Sequence, residues 1–221
     1  MNVMPENKGE LSLSKATELI NFMAGRAAAN EVETSMIIAV HMAFRMFSSW
    51  SSQHSIRVGY LALNLAEGLG WSRQDAATLG LCSCLHDVGK LTIPQSILEK
   101  PSELSSEERN IIEEHAANGL SILEMMRANN QTMAHNVIKY HHENYDGSGY
   151  PDGLITKSIP DEVLIVRICD FFDAVFYDRP YRRGLSNEDT IGLMVKSEGI
   201  FKPEFLNVFI ADTHKISLEL V

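Results

Sequence analysis

The chain predicts an all-α protein, a compact helical bundle with a helical N-terminal extension. Three observations carry that expectation. Apolar residues recur at helical spacing in stretch after stretch, Ser and Asp residues with capping potential precede several of those stretches, and no run alternates apolar and polar residues as a half-buried strand would. With 221 residues, 45% of them hydrophobic, there is ample material for a core. Neither an internal repeat nor a low-complexity tract interrupts it.

In chain order, residues 1 to about 10 are polar and predict a loose start. Leu13, Ala16, Leu19, Ile20 and Met23 give the spacing of an amphipathic helix from Leu11 to about Ala29, and Val32 to Phe47 reads as a second. Met1, Met4, Met23, Met36, Met42 and Met46 crowd this region, which suits core filling or an adaptable helical interface for a second copy or a partner domain. Ser51-Ser52-Gln53-His54 opens a helix that Gly68 and Gly70 stop. Ser72-Arg73-Gln74-Asp75 caps another, expected to end near His86-Asp87, where Gly89 breaks it. Pro94 to Leu98 is a short helical turn. Ser105-Ser106-Glu107-Glu108 is a capping box for one helix through His115 to Met126, and Gln131 to His142 is the next. Asn144 to Ile159, broken by Gly147, Gly149, Pro151 and Gly153, is a loop. Pro160 introduces a helix carrying Asp170 and Asp173, Ser186 caps one more, and Pro203 sits in the first turn of the last.

Composition narrows the function. A formal net charge of -10 argues against binding a nucleic acid polymer or an anionic membrane. No apolar run approaches the roughly 18 residues of a membrane span, and Met1 to Glu10 lacks the pattern of a signal peptide, so membrane insertion is not expected and a cytoplasmic location is. Cys82, Cys84 and Cys169 make an odd set with no disulfide framework. Cys82 and Cys84 precede His86, but without a Cys-x-x-Cys pair they read as core thiols rather than ligands.

Chemistry concentrates in Leu85-His86-Asp87-Val88-Gly89-Lys90, where an imidazole adjoins a carboxylate able to bridge two cations and a lysine follows three residues on. The second half of the chain adds His141-His142-Glu143, Asp146-Gly147-Ser148-Gly149-Tyr150-Pro151, Asp170 and Arg179-Pro180-Tyr181-Arg182. Together these segments resemble the HD-GYP domain, the branch of the HD phosphohydrolases that hydrolyses cyclic dinucleotides. The resemblance runs from about Ser51 to Ser186 and divides the chain into an extension, 1–50, and an HD-GYP-like phosphodiesterase domain, 51–221.

The resemblance implies metal ligands at His54, His86, Asp87, His115, His141, His142 and Asp170, with Asp87 the best bridge because a carboxylate has two oxygens to share. It implies two divalent cations, iron or manganese first and zinc or nickel compatible, that hold a hydroxide and aim it at phosphorus. It assigns Lys90 to a substrate phosphate oxygen, Gly149 and Tyr150 to the substrate's side, and Arg179 and Arg182 to phosphates or guanine bases. Some relatives of this type bind a third cation through a glutamate four residues before the first histidine; here Trp50 stands there, so two cations are expected. Glu143, Asp146 and Asp173 are candidates to orient ligands or arginines, or equally to serve as loop and helix caps. His41, His135 and His214 match nothing in the pattern and read as structural, with His135 the reserve ligand, about two helical turns from His142. The expected activity is hydrolysis of cyclic di-GMP to pGpG and on to GMP. The alternatives are a cyclic GMP-AMP hydrolase and a non-catalytic receptor for the dinucleotide.

Overall fold

A computed structural model describes residues 10–126, 131–179 and 182–219, with Gln131 and residues 213–219 given by their backbone alone. The helices are α1 Leu13–Ala27, α2 Glu31–Phe47, α3 Ser49–Gly68, α4 Arg73–Ser83, α5 Gln95–Leu98, α6 Ser106–Glu113, α7 His115–Met126, α8 Gln131–Tyr140, α9 Asp161–Phe176, α10 Asn187–Lys196 and α11 Pro203–Glu219. Among the described residues there is no strand, only an isolated bridge between Arg179 and Arg182, and no helix long and apolar enough to cross a membrane. The all-α expectation holds. The expected loose start, residues 1–9, lies outside the described residues, as do Pro180 and Tyr181 and the side chain of His214.

The bundle is built around α3, which packs against α1, α2, α4, α9 and α11. Its Ile56, Val58, Leu61, Leu63 and Leu65 are buried, and the helix starts earlier than expected because Ser48, not Ser51, caps it by accepting from the Ser51 amide. Ala16, Leu19, Ile20 and Met23 of α1 belong to the same apolar core. Burying each large one contributes at most about 1.5–3 kcal/mol. The N-terminal methionines divide: Met23 is core filling, Met46 is exposed, and Met1 and Met4 lie outside the described residues.

Caps explain most helix starts. Ser72, Ser105 and Ser186 each accept from the amide three residues on. Asn30 and Glu33 form a reciprocal box that opens α2.

Two boundaries differ from the sequence reading. α4 stops at Ser83, so His86 and Asp87 sit in a turn rather than at a helix end. There the bonding tightens to i→i+3, from Leu85 to Cys82, His86 to Ser83 and Val88 to Leu85, and leads into a 3-10 turn over Val88–Thr92. The expected single helix from Ser106 to Met126 is two, broken at Glu114, where the His115 ring meets the Ile112 carbonyl at 2.6 Å.

Candidate metal centre

Gly89 makes the centre possible. A Cβ built on it would lie 1.8 Å from the His115 carbonyl oxygen, so only a glycine lets the turn after Asp87 press against the start of α7. That contact brings Asp87 beside His115. His54 arrives from α3, Asp170 from α9, and His141 and His142 from the end of α8.

The ligand atoms form two clusters, Asp87 with His115, His141 and His142, and His54 with His86 and Asp170. Asp87, a member of the first, also faces two residues of the second. Its Oδ1 faces His115 Nε2 (3.5 Å) and His141 Nε2 (3.8 Å), and its Oδ2 faces His86 Nε2 (3.3 Å) and His54 Nε2 (3.7 Å). Asp170 Oδ1 completes the second cluster at 3.1 Å from His54 Nε2 and 3.8 Å from His86 Nε2. Metal bonds of roughly 2.0–2.2 Å place neighbouring ligands roughly 3–4 Å apart, which is the separation found.

Hydrogen bonds behind the rings fix which nitrogen faces inward. The Nδ1 of His86 points at the Ser83 carbonyl (2.8 Å), that of His115 at the Ile112 carbonyl (2.6 Å) and that of His141 at the Val137 carbonyl (3.0 Å). A carbonyl only accepts, so each Nδ1 carries the proton and each Nε2 offers a lone pair. For His54 the acceptor is Asp173 Oδ2 at 2.6 Å. Arg57 clamps that carboxylate, Nε to Oδ1 (2.7 Å) and Nη2 to Oδ2 (3.0 Å), and lies over the Tyr177 ring at 4.2 Å.

Two observations test whether this set fits cations. Buried His86 Nε2 and Asp87 Oδ1 have no hydrogen-bond partner, and the Nε2 lone pairs of His115 and His141 face each other at 3.2 Å. Orphaned acceptors converging on two points fit a pair of divalent cations, and Lys90, paired with Asp87 Oδ2, leaves Asp87 Oδ1 and the imidazole lone pairs without a partner. Protonation runs the same way for five of these groups; His54 is the exception, lowered by burial but raised on balance by Asp173 and Asp170. Burial lowers His115, and lowers His141 and His142 well below the usual imidazole value, keeping them neutral. Burial would raise Asp87 and Asp170, but Lys90 and the surrounding histidines for the first, and His54 above all for the second, hold both carboxyls well below the carboxylate range.

A cavity of about 500 Å³ opens beside the centre, walled by His54, His115, His142 and Asp170, by Lys90, Tyr150 and Arg179, and by the segment Ile97 to Leu104. Lys90 Nζ lies 2.6 Å from Asp87 Oδ2. Tyr150 stacks on His142, with centroids 4.7 Å apart. Gly149 is not in the wall: it packs behind it, where a Cβ would meet the backbone of His142 to Asn144 at 2.3–2.5 Å. Arg182 is also outside the wall, donating to the Ala174, Val175 and Arg183 carbonyls. Trp50 stacks on His54 at 4.9 Å, receives the Arg179 guanidinium at 4.6 Å, and donates from Nε1 to the Asp178 carbonyl.

Of the other candidates, His41 is buried against Ser52 and His135 is exposed, apart from the clusters. Burial pushes the thiols of Cys82 and Cys84 up to about 12, and neither joins a cluster. Glu143 is a loop anchor, accepting from the amides of Asp152, Gly153 and Leu154. The sequence reading missed Arg57 and Arg167. Arg57 had one signal, a charge inside the apolar run Ile56-Arg57-Val58.

This all-helical bundle gathers imidazoles and carboxylates around one shared carboxylate, a His and Asp cluster that could bind metal. Residues 37–204 match the HD-domain family model, and the chain belongs to that family as an HD-GYP domain. It is 34% identical over 155 residues to the cyclic di-GMP phosphodiesterase response regulator RpfG of Xanthomonas campestris, covering 70% of this chain and 41% of that protein. It is 36% identical over 165 residues to 3'3'-cGAMP-specific phosphodiesterase 1 of Vibrio cholerae, covering 74% and 38%. The chain thus spans about two fifths of the length of these curated relatives. The solved HDG"Y"P protein Bd1817 from Bdellovibrio bacteriovorus shares the fold, with a TM-score of 0.65 at 19% identity over 97% of this chain and 75% of that one.

Proposed function

We propose that this domain is a metal-dependent phosphodiesterase that opens cyclic di-GMP to the linear dinucleotide pGpG, with GMP released by a second cleavage at the same centre. The observation that carries the reading is the division of Asp87, one oxygen toward each ligand cluster. Two bound divalent cations would supply Lewis-acid activation of water near neutral pH and neutralise charge on the attacked phosphoryl group. The mixed imidazole and carboxylate set suits borderline cations, with iron or manganese first.

The remaining work falls to the chain. Asp87 sets the spacing of the two clusters, and the Nδ1 hydrogen bonds hold the rings in place without reorganisation. Lys90 brings a positive charge to the cavity wall beside that bridge, where it can receive a phosphate oxygen. Arg179, lying over Trp50, offers a planar fork to a second phosphate or a guanine edge. With a net charge of -10 on the chain, these local cations must supply the attraction for an anionic substrate. A cavity of about 500 Å³ lies within the size range of small-molecule sites.

Similarity to the Vibrio cholerae protein favours cyclic GMP-AMP as the second reading of the substrate. The test incubates metal-loaded protein with each cyclic dinucleotide and separates the linear products. Linear product that disappears in His86→Ala and Asp87→Ala is the expected result. Tight binding with no product would make the domain a receptor and overturn the enzymatic reading.

A further inference from the structure

Asp170 uses its two oxygens differently. Oδ1 faces His54 and His86, whereas Oδ2 faces Arg167 Nη1 at 3.7 Å, with both side chains nearly buried at 11% and 13% exposure. The same guanidinium donates from Nε to Asn144 Oδ1 (2.9 Å), and Asn144 Nδ2 donates to Ser148 Oγ (3.0 Å). Asn144 and Ser148 bracket the first half of the loop whose Tyr150 ring stacks on His142 and whose Tyr150 amide donates to the His142 carbonyl. A polar chain therefore runs from a ligand of one cluster to the loop that covers a ligand of the other. Arg167 stands behind the cavity wall, not in it.

Taking the centre as a metal site but leaving its substrate open, we infer that Arg167 is a positioning residue coupling cation binding to the docking of residues 145–150. With the centre loaded, Asp170 would be held as one of its ligands, its carboxylate and Asn144 would fix the Arg167 guanidinium between them, and the loop carrying Tyr150 would settle onto His142. Screening across this contact is weak because both partners are nearly buried. The second half of the loop supplies an internal control, since the amides of 152–154 are held by Glu143 rather than by Arg167.

Hydrogen exchange of the full chain with and without manganese, alongside elemental analysis, reads this directly. In the wild type, manganese should slow exchange of amides 145–150 by about tenfold, the effect of one charge-assisted hydrogen bond. In Arg167→Gln, with manganese content unchanged, that slowing should vanish while 152–154 stay protected. Asn144→Ala cuts the far end of the chain without touching Asp170 and should do the same, which keeps the test open if the arginine variant folds poorly. Equal slowing in wild type and Asn144→Ala refutes the coupling, as does parallel loss of protection at 152–154. Manganese uptake without slowing in the wild type refutes the coupling alone; no uptake refutes the metal reading beneath it as well.

Discussion

Replacing Asp173 by asparagine should damage the protein twice, and the two effects separate. The carboxylate takes three donors in the core: His54 Nδ1 and Arg57 Nη2 on Oδ2, and Arg57 Nε on Oδ1. An amide keeps one oxygen and turns an NH₂ toward the others, so at least one donor meets a donor. It also strips the counter-charge from Arg57, which is 1% exposed. Breaking a buried pair from one side costs about 3–5 kcal/mol, a large part of the roughly 5–15 kcal/mol that holds a domain together. The second effect falls on the ligand. His54 loses the carboxylate that orients its ring, and such losses typically weaken metal binding by about 10–100-fold. Urea unfolding of metal-free Asp173→Asn measures the first effect, and chelator competition measures the second. Arg57→Met in the Asp173→Asn background removes the stranded charge and should recover part of the stability but none of the affinity. A loss below about 1 kcal/mol in the single variant, or a double variant whose losses simply add, would refute the account.

Three further outcomes follow from the same geometry. His41 is held near a pKa of about 4 by burial and then by Arg45. Its neutral form is the folded one, so its contribution is complete above about pH 6.5 and is lost as pH falls toward 4 and the unfolded chain takes the proton. Wild type should therefore lose more stability than His41→Gln over that window in urea titrations, and equal losses would contradict it. Gly89→Ala places a methyl 1.8 Å from the His115 carbonyl oxygen; overpacking of about 1–3 kcal/mol or more should lower the melting temperature, and parting Asp87 from His115 should lower metal content by elemental analysis. Lys90→Met should reduce kcat by about 10²–10³-fold, the scale of one lost transition-state donor, while metal content holds; a variant that turns over normally would remove Lys90 from the chemistry.

How much of this was legible in the sequence depends on the range of the interaction. The caps at Ser72, Ser105 and Ser186 and the helix starts at Pro160 and Pro203 are local events, set by residues three or four apart, and the structure has them as read. The end of α4 was misread because no local signal at Ser83 stops it. The turn is fixed by Gly89 meeting His115, a contact between segments that periodicity cannot relate. Arg57 was missed for the same reason: its partner is Asp173, 116 residues away. Arg182 matches its motif by position, yet its guanidinium caps the carbonyls at the end of α9, an outcome decided by the return of the chain after Asp178.

The ligand set itself shows where that boundary falls. The family resemblance announced the donors, because its metal-binding pattern falls position by position on these imidazoles and aspartates. Which nitrogen each ring presents is a finer matter. For His86, His115 and His141 it is settled by a carbonyl three or four residues earlier, so each brings its own tautomer lock with the local turn. His54 sits mid-helix, where the carbonyls around it are engaged in the helix, and must borrow an acceptor from α9. Its orientation therefore exists only after α3 and α9 have packed. The cluster of His54, His86 and Asp170 is thus the one whose geometry depends most on tertiary assembly, and in metal-loaded protein partial unfolding should release a cation bound there before one bound by Asp87, His115, His141 and His142.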